Sequence, residues 1–455
     1  MTSTFSTDSS AQLLIKSLIA YDAINESEIA EVYEFERTLQ WIKENNLKRV
    51  ALQFPDELLV DSINIYQKLE ELCDIPLYLM ADTTFGSCCV DEIGAEHGVC
   101  DGIIHYGSAC LSSTIRFPSL HIFGRRRLDI EDFMKHLKSN YRDNNVKTLI
   151  FAESAYTYAV DTILSTVQKE FKNMRSIQSS CHVEGSEGEE GLFIGSEENG
   201  MLPRLTLQYN HLQWSTYDPQ TKKFLKHSTI PRKLMMKRFH LVEKAKDARI
   251  IGILVGTLGV KGYNEALDHI RTLIKKRGKK CYTLAVGKLN PAKLANFPEV
   301  DVFVLVACPD TVLIDSKSFY KPVLTMYELE LALNSNRDPS AGFEYVAEFS
   351  NLLPGGKEYV EASETVEDDE CADVSLITGG IRYLSSRTDD SDETSTNQAI
   401  TTRAPLGVAT YARDAGEFLE NRSWRGLEQK LGETPVSEIK EGRRGIALGY
   451  THEPS

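Results

Sequence analysis

The stretch Ala81–Ser113 reads ADTTFGSCCVDEIGAEHGVCDGIIHYGSACLSS and holds four of the chain's nine cysteines. Cys88 and Cys89 stand together after a Gly-Ser turn, and the span Val90–His97 has the composition of a short helix. Gly102–Tyr106 follows as an apolar run of strand length, and Cys110 comes just past it. A helix feeding a buried strand, with thiols on the loops at either side, is one step of a parallel α/β sheet.

Reading outward from this step extends the same pattern. Arg49–Phe54 is a buried-strand candidate, Pro55-Asp56 opens a helix through Leu72, and Pro76–Met80 is a second strand, which makes Gly102–Tyr106 the third. Ahead of them, Ile29–Glu44 shows helical periodicity, with Val32, Phe35, Leu39 and Ile42 on one face. The order recurs late in the chain: strand Arg249–Val255, helix Tyr263–Arg277 ended by Gly278, strand Lys280–Val286, short helix Pro291–Phe297 and strand Val300–Val306. Laid on each other, the two units put Cys110 and Cys308 at equivalent points just past their third strands.

The middle reads as a third, degenerate copy. Lys147–Ala152 is a strand, a helix runs from about Tyr156 to Phe171, and a weaker strand lies near Arg175–Ser179. A Gly/Glu-rich loop at Glu184–Gly200 precedes a further strand at Leu205–Leu212, followed by Gln213-Trp214-Ser215 with no thiol. The expected fold class is therefore α/β, with three similar α/β domains whose parallel sheets form a pseudo-threefold arrangement. The expected division is a polar N-terminus (1–28), three domains (29–140, 141–245, 246–350), an acidic, largely disordered linker (351–415) and a C-terminal tail (416–455) that docks on the body or on a partner.

Composition narrows the function classes. A formal net charge of −15 argues against nucleic acid as a partner, which needs a basic face. No apolar run approaches the roughly 20 residues of a membrane span, and MTSTFSTDSSAQ lacks the pattern of a secretory signal. Nine cysteines without an export signal point to a reducing, cytoplasmic setting, where they persist as thiols or metal ligands.

In open α/β sheets, ligands collect outside the carboxyl ends of the strands. Cys110 and Cys308 lie there, and Cys88 and Cys89 lie on the loop after the second strand of the first unit. Such thiolates select iron–sulfur or zinc over hard cations. The absence of any C-x-x-C pair disfavours a zinc ribbon, and the usual ferredoxin spacings are missing. The reading is a three-thiolate iron–sulfur site built from Cys89, Cys110 and Cys308, with Cys88 the alternative to Cys89.

The default for a single cysteine is a buried structural thiol. The repeat lifts Cys110 and Cys308 above it, whereas Cys73, Cys100, Cys181, Cys281 and Cys371 stay core or loop residues. Gly256-Thr257-Leu258-Gly259 reads as a tight strand-to-helix turn, and His105 as a packed core residue. Asp56, Asp82 and Gly442-Arg443-Arg444-Gly445 read by default as solvated loop groups.

At GSCCVDE (Gly86–Glu92), HYGSACLS (His105–Ser112), ACPDTVLIDSKSFYKPVLTMYELELAL (Ala307–Leu333) and RSWRGLEQKLGETPVSEIKEGRRGIALGY (Arg422–Tyr450) the chain resembles the diphthamide-synthase family. The resemblance spans roughly Ile29–Leu333 plus the tail. It implies three similar α/β domains around a [4Fe–4S] cluster that, in the catalytic members, takes one cysteine from each. It also implies radical cleavage of S-adenosylmethionine and transfer of its 3-amino-3-carboxypropyl group to a histidine of translation elongation factor 2.

This chain departs from the catalytic pattern, because Ala152–Asp161 (AESAYTYAVD) carries no cysteine. In the family's accessory members the ligands correspond to Cys89, Cys110 and Cys308. The resemblance therefore implies an accessory subunit that pairs with a catalytic homologue and, with an electron-donor protein, keeps that homologue's cluster reduced.

Overall fold

Aliphatic runs bounded by Pro, Gly and Asp form the strands. Val50–Gln53 (β1), Leu77–Leu79 (β2), Gly102–Tyr106 (β3) and Ser119–Ile122 (β4) make a parallel sheet in the order β2-β1-β3-β4. β1 and β3 are buried at every residue, because helices cover both faces of a parallel sheet. The structure, a computed structural model, describes residues 27–80, 87–112, 116–141, 147–176, 189–196, 200–226, 230–314, 319–337, 345–362 and 373–382, positions 24 and 114, and the backbone of 445–446 and 449–450.

The second sheet contains Thr148–Ala152 (β5), Met174–Ser176 (β6), Glu190–Ile194 (β7), Gln213–Asp218 (β8) and Lys223–Leu225 (β9), ordered β6-β5-β7-β8-β9 with only β9 antiparallel. The third contains Ile250–Val255 (β10), Lys280–Ala285 (β11), Val302–Val306 (β12) and Val323–Thr325 (β13), all parallel in the order β11-β10-β12-β13. Each sheet thus begins second-first-third-fourth, and the repeated unit is present three times.

A shared device confirms the match of the first and third sheets. Asp101, just before β3, accepts the backbone N–H groups of Lys48 and Arg49 at 2.8 and 2.9 Å. Asp301, just before β12, accepts those of Arg249 and Ile250 at 2.9 and 3.1 Å. Each aspartate pins the start of its sheet's first strand to the start of the third.

The middle sheet corrects two sequence expectations. β7 lies inside Glu184–Gly200, where Gly and Glu disguise the buried core Leu192-Phe193-Ile194. Leu205–Leu212 is not a strand: Met201–Gln208 is a helix, with Leu202, Leu205, Thr206 and Tyr209 buried at helical spacing. The strand is β8, whose Ser215 and Thr216 are buried as fully as its Trp214 and Tyr217 and hide it from a hydrophobic reading.

The expected helix Ile29–Glu44 is broken into Ile29–Val32 and Phe35–Glu44 at Glu34, which turns left-handed (φ 50°). The helix after β5 also starts tighter than expected, as a 3₁₀ turn over Ser154–Ala159 before Val160–Val167.

Helix Met326–Leu333 follows β13 and is buried on all sides, so its two glutamates need internal partners. Glu328 meets Arg238 of helix Ile230–Asp247 through both carboxylate oxygens, and Glu330 meets His269 at 2.8 Å and Arg337 at 2.7 Å. The core here also takes in Tyr345, Phe349, Leu352 and Leu353. Part of the acidic segment is ordered: Asp373–Val374 pairs with Ile381–Arg382, and the Ser375 hydroxyl donates to Asp247 Oδ2 at 2.6 Å.

The chain divides into the unit Met1–Glu393 and a second unit, Thr394–Ser455, in which the described backbone is an antiparallel pair of Gly445–Ile446 and Gly449–Tyr450. The expectations for the N-terminal dozen residues, Asp82, Cys181, Cys371, the Gly442–Arg444 turn and the docking of the tail lie outside the described residues. No described helix is long and apolar enough to cross a membrane.

His105 and His121 are register partners on β3 and β4, with ring centroids 5.6 Å apart. Burial pushes His105 below its ordinary value, and burial together with His105 pushes His121 down from 6.5 to about 4. A group that stays neutral in the folded chain but takes a proton once unfolded removes stability as pH falls. The unfolding midpoint is expected to drop as pH falls from about 6.5 towards about 4. His121→Gln is expected to flatten that part of a thermal-melt pH profile, and an unchanged slope refutes the assignment.

Candidate metal centre

Three loops, after β2, β3 and β12, bring the thiols together. The loop after β2 is held by the buried Gln53 at the end of β1, whose amide donates to the Cys89 carbonyl at 2.8 Å and accepts the Asp91 N–H at 2.9 Å. His105 is a core residue, as expected, and its Nε2–H donates to the Ser87 carbonyl at 2.8 Å. Asp91 then caps helix Glu92–His97 by accepting the Gly94 N–H. The third-sheet loop leaves β12 and turns at Cys308-Pro309-Asp310, where the Thr311 and Val312 N–H groups donate to the Cys308 carbonyl at 3.1 and 3.0 Å.

Cys88, Cys89, Cys110 and Cys308 have all four Sγ atoms within 4.8 Å of one another. Cys88 and Cys308 approach to 2.8 Å, while Cys88–Cys89 and Cys89–Cys110 are 3.8 Å apart. The Cys110 N–H donates to the Cys88 carbonyl at 3.1 Å, which links the two first-sheet loops. Cys88, Cys89 and Cys308 are buried and Cys110 is half-buried. The structure thus gathers every thiol the sequence singled out, while Cys73, Cys100 and Cys281 stand outside the group.

Their equivalence is one of loops rather than of residues. With Asp101 and Asp301 aligned, Cys308 falls opposite Ser108, and Cys110 falls opposite Asp310. The two loops reach the same place from starting points offset by two residues.

Four thiols this close together cannot all ionise without a cation. Hydrogen bonds from Cys308, Cys88 and Cys89 hold Cys110 well below the usual thiol range. Hydrogen bonds with Cys110 and then Cys308, together with burial, push Cys88 and Cys89 up. The group therefore takes on its full negative charge only against a bound metal. A donor set of sulfur alone suits soft metals and iron–sulfur chemistry, not magnesium or calcium.

Further residues join the site for which the sequence offered no spacing signal. Thr257 is buried and donates its hydroxyl to Cys89 Sγ at 3.7 Å, so Gly256–Gly259 is more than a turn. A Cβ on Gly259 would lie 2.6 Å from the Val90 carbonyl, so only glycine lets this loop rest on the cysteine loop. Among the described residues, the middle sheet supplies no thiol. Its helix Met201–Gln208 instead places Leu207 in the core that holds the cysteines, and Arg204 3.0 Å from Asp310. Burial raises the Asp310 carboxyl, Arg204 opposes that rise, and the Cys110 charge adds to it. Asp56 pairs with Lys288 at 3.3 Å, tying the first sheet's loops to the third's.

Residues 54–344 match the family model for diphthamide synthesis proteins, Diphthamide_syn. The chain is 39% identical to the 2-(3-amino-3-carboxypropyl)histidine synthase subunit 2 of Xenopus laevis, over 94% of this chain and 93% of the relative. It is 36% identical to the Schizosaccharomyces pombe protein of that name, over 94% of this chain and 92% of the relative. Among solved structures it is similar to Dph2 from Pyrococcus horikoshii, at 24% identity and a TM-score of 0.55, over 75% of this chain and 97% of that one. A structure of that archaeal protein with a 4Fe-4S cluster matches at a TM-score of 0.56, over 72% of this chain and 96% of that one. The repeated sheets, the gathered thiols and these full-length likenesses lead to one conclusion: the chain belongs to the diphthamide synthesis protein family.

Proposed function

We infer that this chain is the iron–sulfur accessory subunit of a heterodimeric transferase. In that complex a catalytic homologue moves the 3-amino-3-carboxypropyl group of S-adenosylmethionine to a histidine of elongation factor 2. The observation that carries the inference is the four-thiol group at loops of the first and third sheets, to which the middle sheet adds no cysteine among the described residues. Cys89, Cys110 and Cys308 would hold the cluster, with Cys88 the alternative to Cys89. A bound cluster would supply one-electron transfer.

The protein's own part is to bury the thiols, exclude water and hold each sulfur in place. Gln53 and His105 do this for the loop after β2, and Arg204, through Asp310, for the Cys308 turn. The role fits a supplier of electrons to the partner's cluster, fed in turn by an electron-donor protein in the cytoplasm.

Anaerobic loading with iron and sulfide, followed by the transfer assay, tests the reading. The chain alone is expected to turn brown and to transfer nothing. With the catalytic homologue it is expected to raise the number of turnovers. Full activity from this chain alone refutes the accessory role.

One observation favours a second reading. Two sulfur pairs lie 3.8 Å apart, close to the edge of about 3.8 Å that a tetrahedron of zinc–sulfur bonds of about 2.3 Å would have. A structural zinc on all four thiols would give a colourless chain with no reducible signal and full complex assembly. Metal analysis and an electron spin resonance spectrum separate the two.

A further inference from the structure

Three of the four clustered thiols each have a side-chain hydroxyl within reach, contributed by three different loops. Thr257 Oγ1 donates to Cys89 Sγ at 3.7 Å, Ser112 Oγ lies 3.2 Å from Cys110 Sγ, and Thr311 Oγ1 lies 3.2 Å from Cys308 Sγ. Among the described residues, Cys88 meets only the other thiols through its sulfur. We propose that Ser112, Thr257 and Thr311 set the reduction potential of the iron–sulfur centre, one hydroxyl to each ligand thiolate, and that this pairing selects Cys89 over Cys88 as the ligand. The proposal rests on the iron–sulfur reading above.

The direction of each hydrogen bond follows from the chemistry. A ligating cysteine has lost its proton and can only accept, so the hydroxyl must donate. At Thr257 the backbone supports this: the Gly259 N–H donates to Oγ1 at 3.3 Å, which leaves the O–H free to point at Cys89. Thr257 is 1% exposed, so water cannot take its place if the hydroxyl is removed.

A donor aimed at a thiolate stabilises the more negatively charged, reduced form, and hydrogen bonds to sulfur are one of the protein's levers on cluster potential. Removing the donor makes reduction harder. Buried Cys88 lacks such a donor among the described residues, so ligation there would leave a thiolate with no hydrogen bond to support its charge in the reduced state.

The test uses the full chain, loaded anaerobically with iron and sulfide and titrated with an electrode while its absorption and spin resonance are followed. Thr257→Val keeps the shape and removes the donor. At fixed potential its reduced-to-oxidised ratio is expected to fall about tenfold, a one-electron shift of about 59 mV to more negative potential. Thr257→Ser is expected to restore the wild-type value, which simple repair of packing would not do.

Ser112→Ala and Thr311→Val are expected to shift in the same direction, and they carry the decision if Thr257→Val takes up no iron. A loaded chain whose potential ignores all three hydroxyls overturns this proposal alone. A wild-type chain that takes up no iron defeats the earlier reading and this proposal with it.

Discussion

Cys89→Ser is expected to strip the chain of iron after anaerobic reconstitution, whereas Cys88→Ser is expected to keep the full complement and the brown colour. The two residues are neighbours with nearly equal burial, so depth cannot separate them. Their surroundings do. Cys89 receives the Thr257 hydroxyl, and its carbonyl is pinned by Gln53, so its position is fixed from two sides. Cys88 Sγ meets only sulfur among the described residues, and its carbonyl is spent on the Cys110 N–H.

Cys110→Ser and Cys308→Ser should behave like Cys89→Ser, because three thiolates leave no ligand to spare. Iron and sulfide assays with the absorption spectrum decide it. Iron retained in Cys89→Ser and lost in Cys88→Ser would reverse the ligand assignment. Loss of metal in all four variants, with zinc in the wild type, would favour the closed four-thiolate site.

Arg238→Met is expected to destabilise the folded chain by about 3–5 kcal/mol, the typical result of removing one partner from a buried ion pair. Both side chains are almost wholly inaccessible, at 3% and 1% exposure. Glu328 does three jobs: it pairs with Arg238, accepts the Tyr345 hydroxyl at 3.0 Å, and closes the capping box by accepting the Thr325 N–H at 2.8 Å. Without Arg238 its charge has no cation beside it.

The double variant Arg238→Met/Glu328→Gln should recover much of the loss, since a neutral amide can keep the capping bond without an unpaired charge. Urea unfolding of the three proteins measures both numbers. A loss below about 1 kcal/mol for Arg238→Met would mean that water reaches this site.

The strands that read clearly in the sequence share one property. β1, β3, β10 and β12 are short, mostly apolar runs near Pro, Gly or Asp, because a strand buried on both faces tolerates a polar side chain only where it finds a partner, as Gln53 and His105 do. Where burial is met by other means, the reading failed. β8 buries Ser215 and Thr216, and β7 hides three apolar residues in a Gly/Glu context. Helix Met201–Gln208 was misread because leucines at alternating positions near its end mimic a strand, whereas its buried face follows the helical repeat. For the site, cysteine type and position past a strand end were enough to choose the thiols. A loop hydroxyl, a strand-end amide and a helical arginine carry no such signal, so Thr257, Gln53 and Arg204 give no sign of their roles.

The sequence by itself determined the duplicated α/β units and which sulfurs belong to the site, since periodicity and rare side chains are local properties that survive without coordinates. Only the tertiary structure decided that Cys308 meets Cys88 across 220 residues of chain, and that a threonine after β10 backs Cys89. Those meetings depend on how the first and third sheets set their loop ends against each other. Packing between units fixes that geometry, and no stretch of chain encodes it alone.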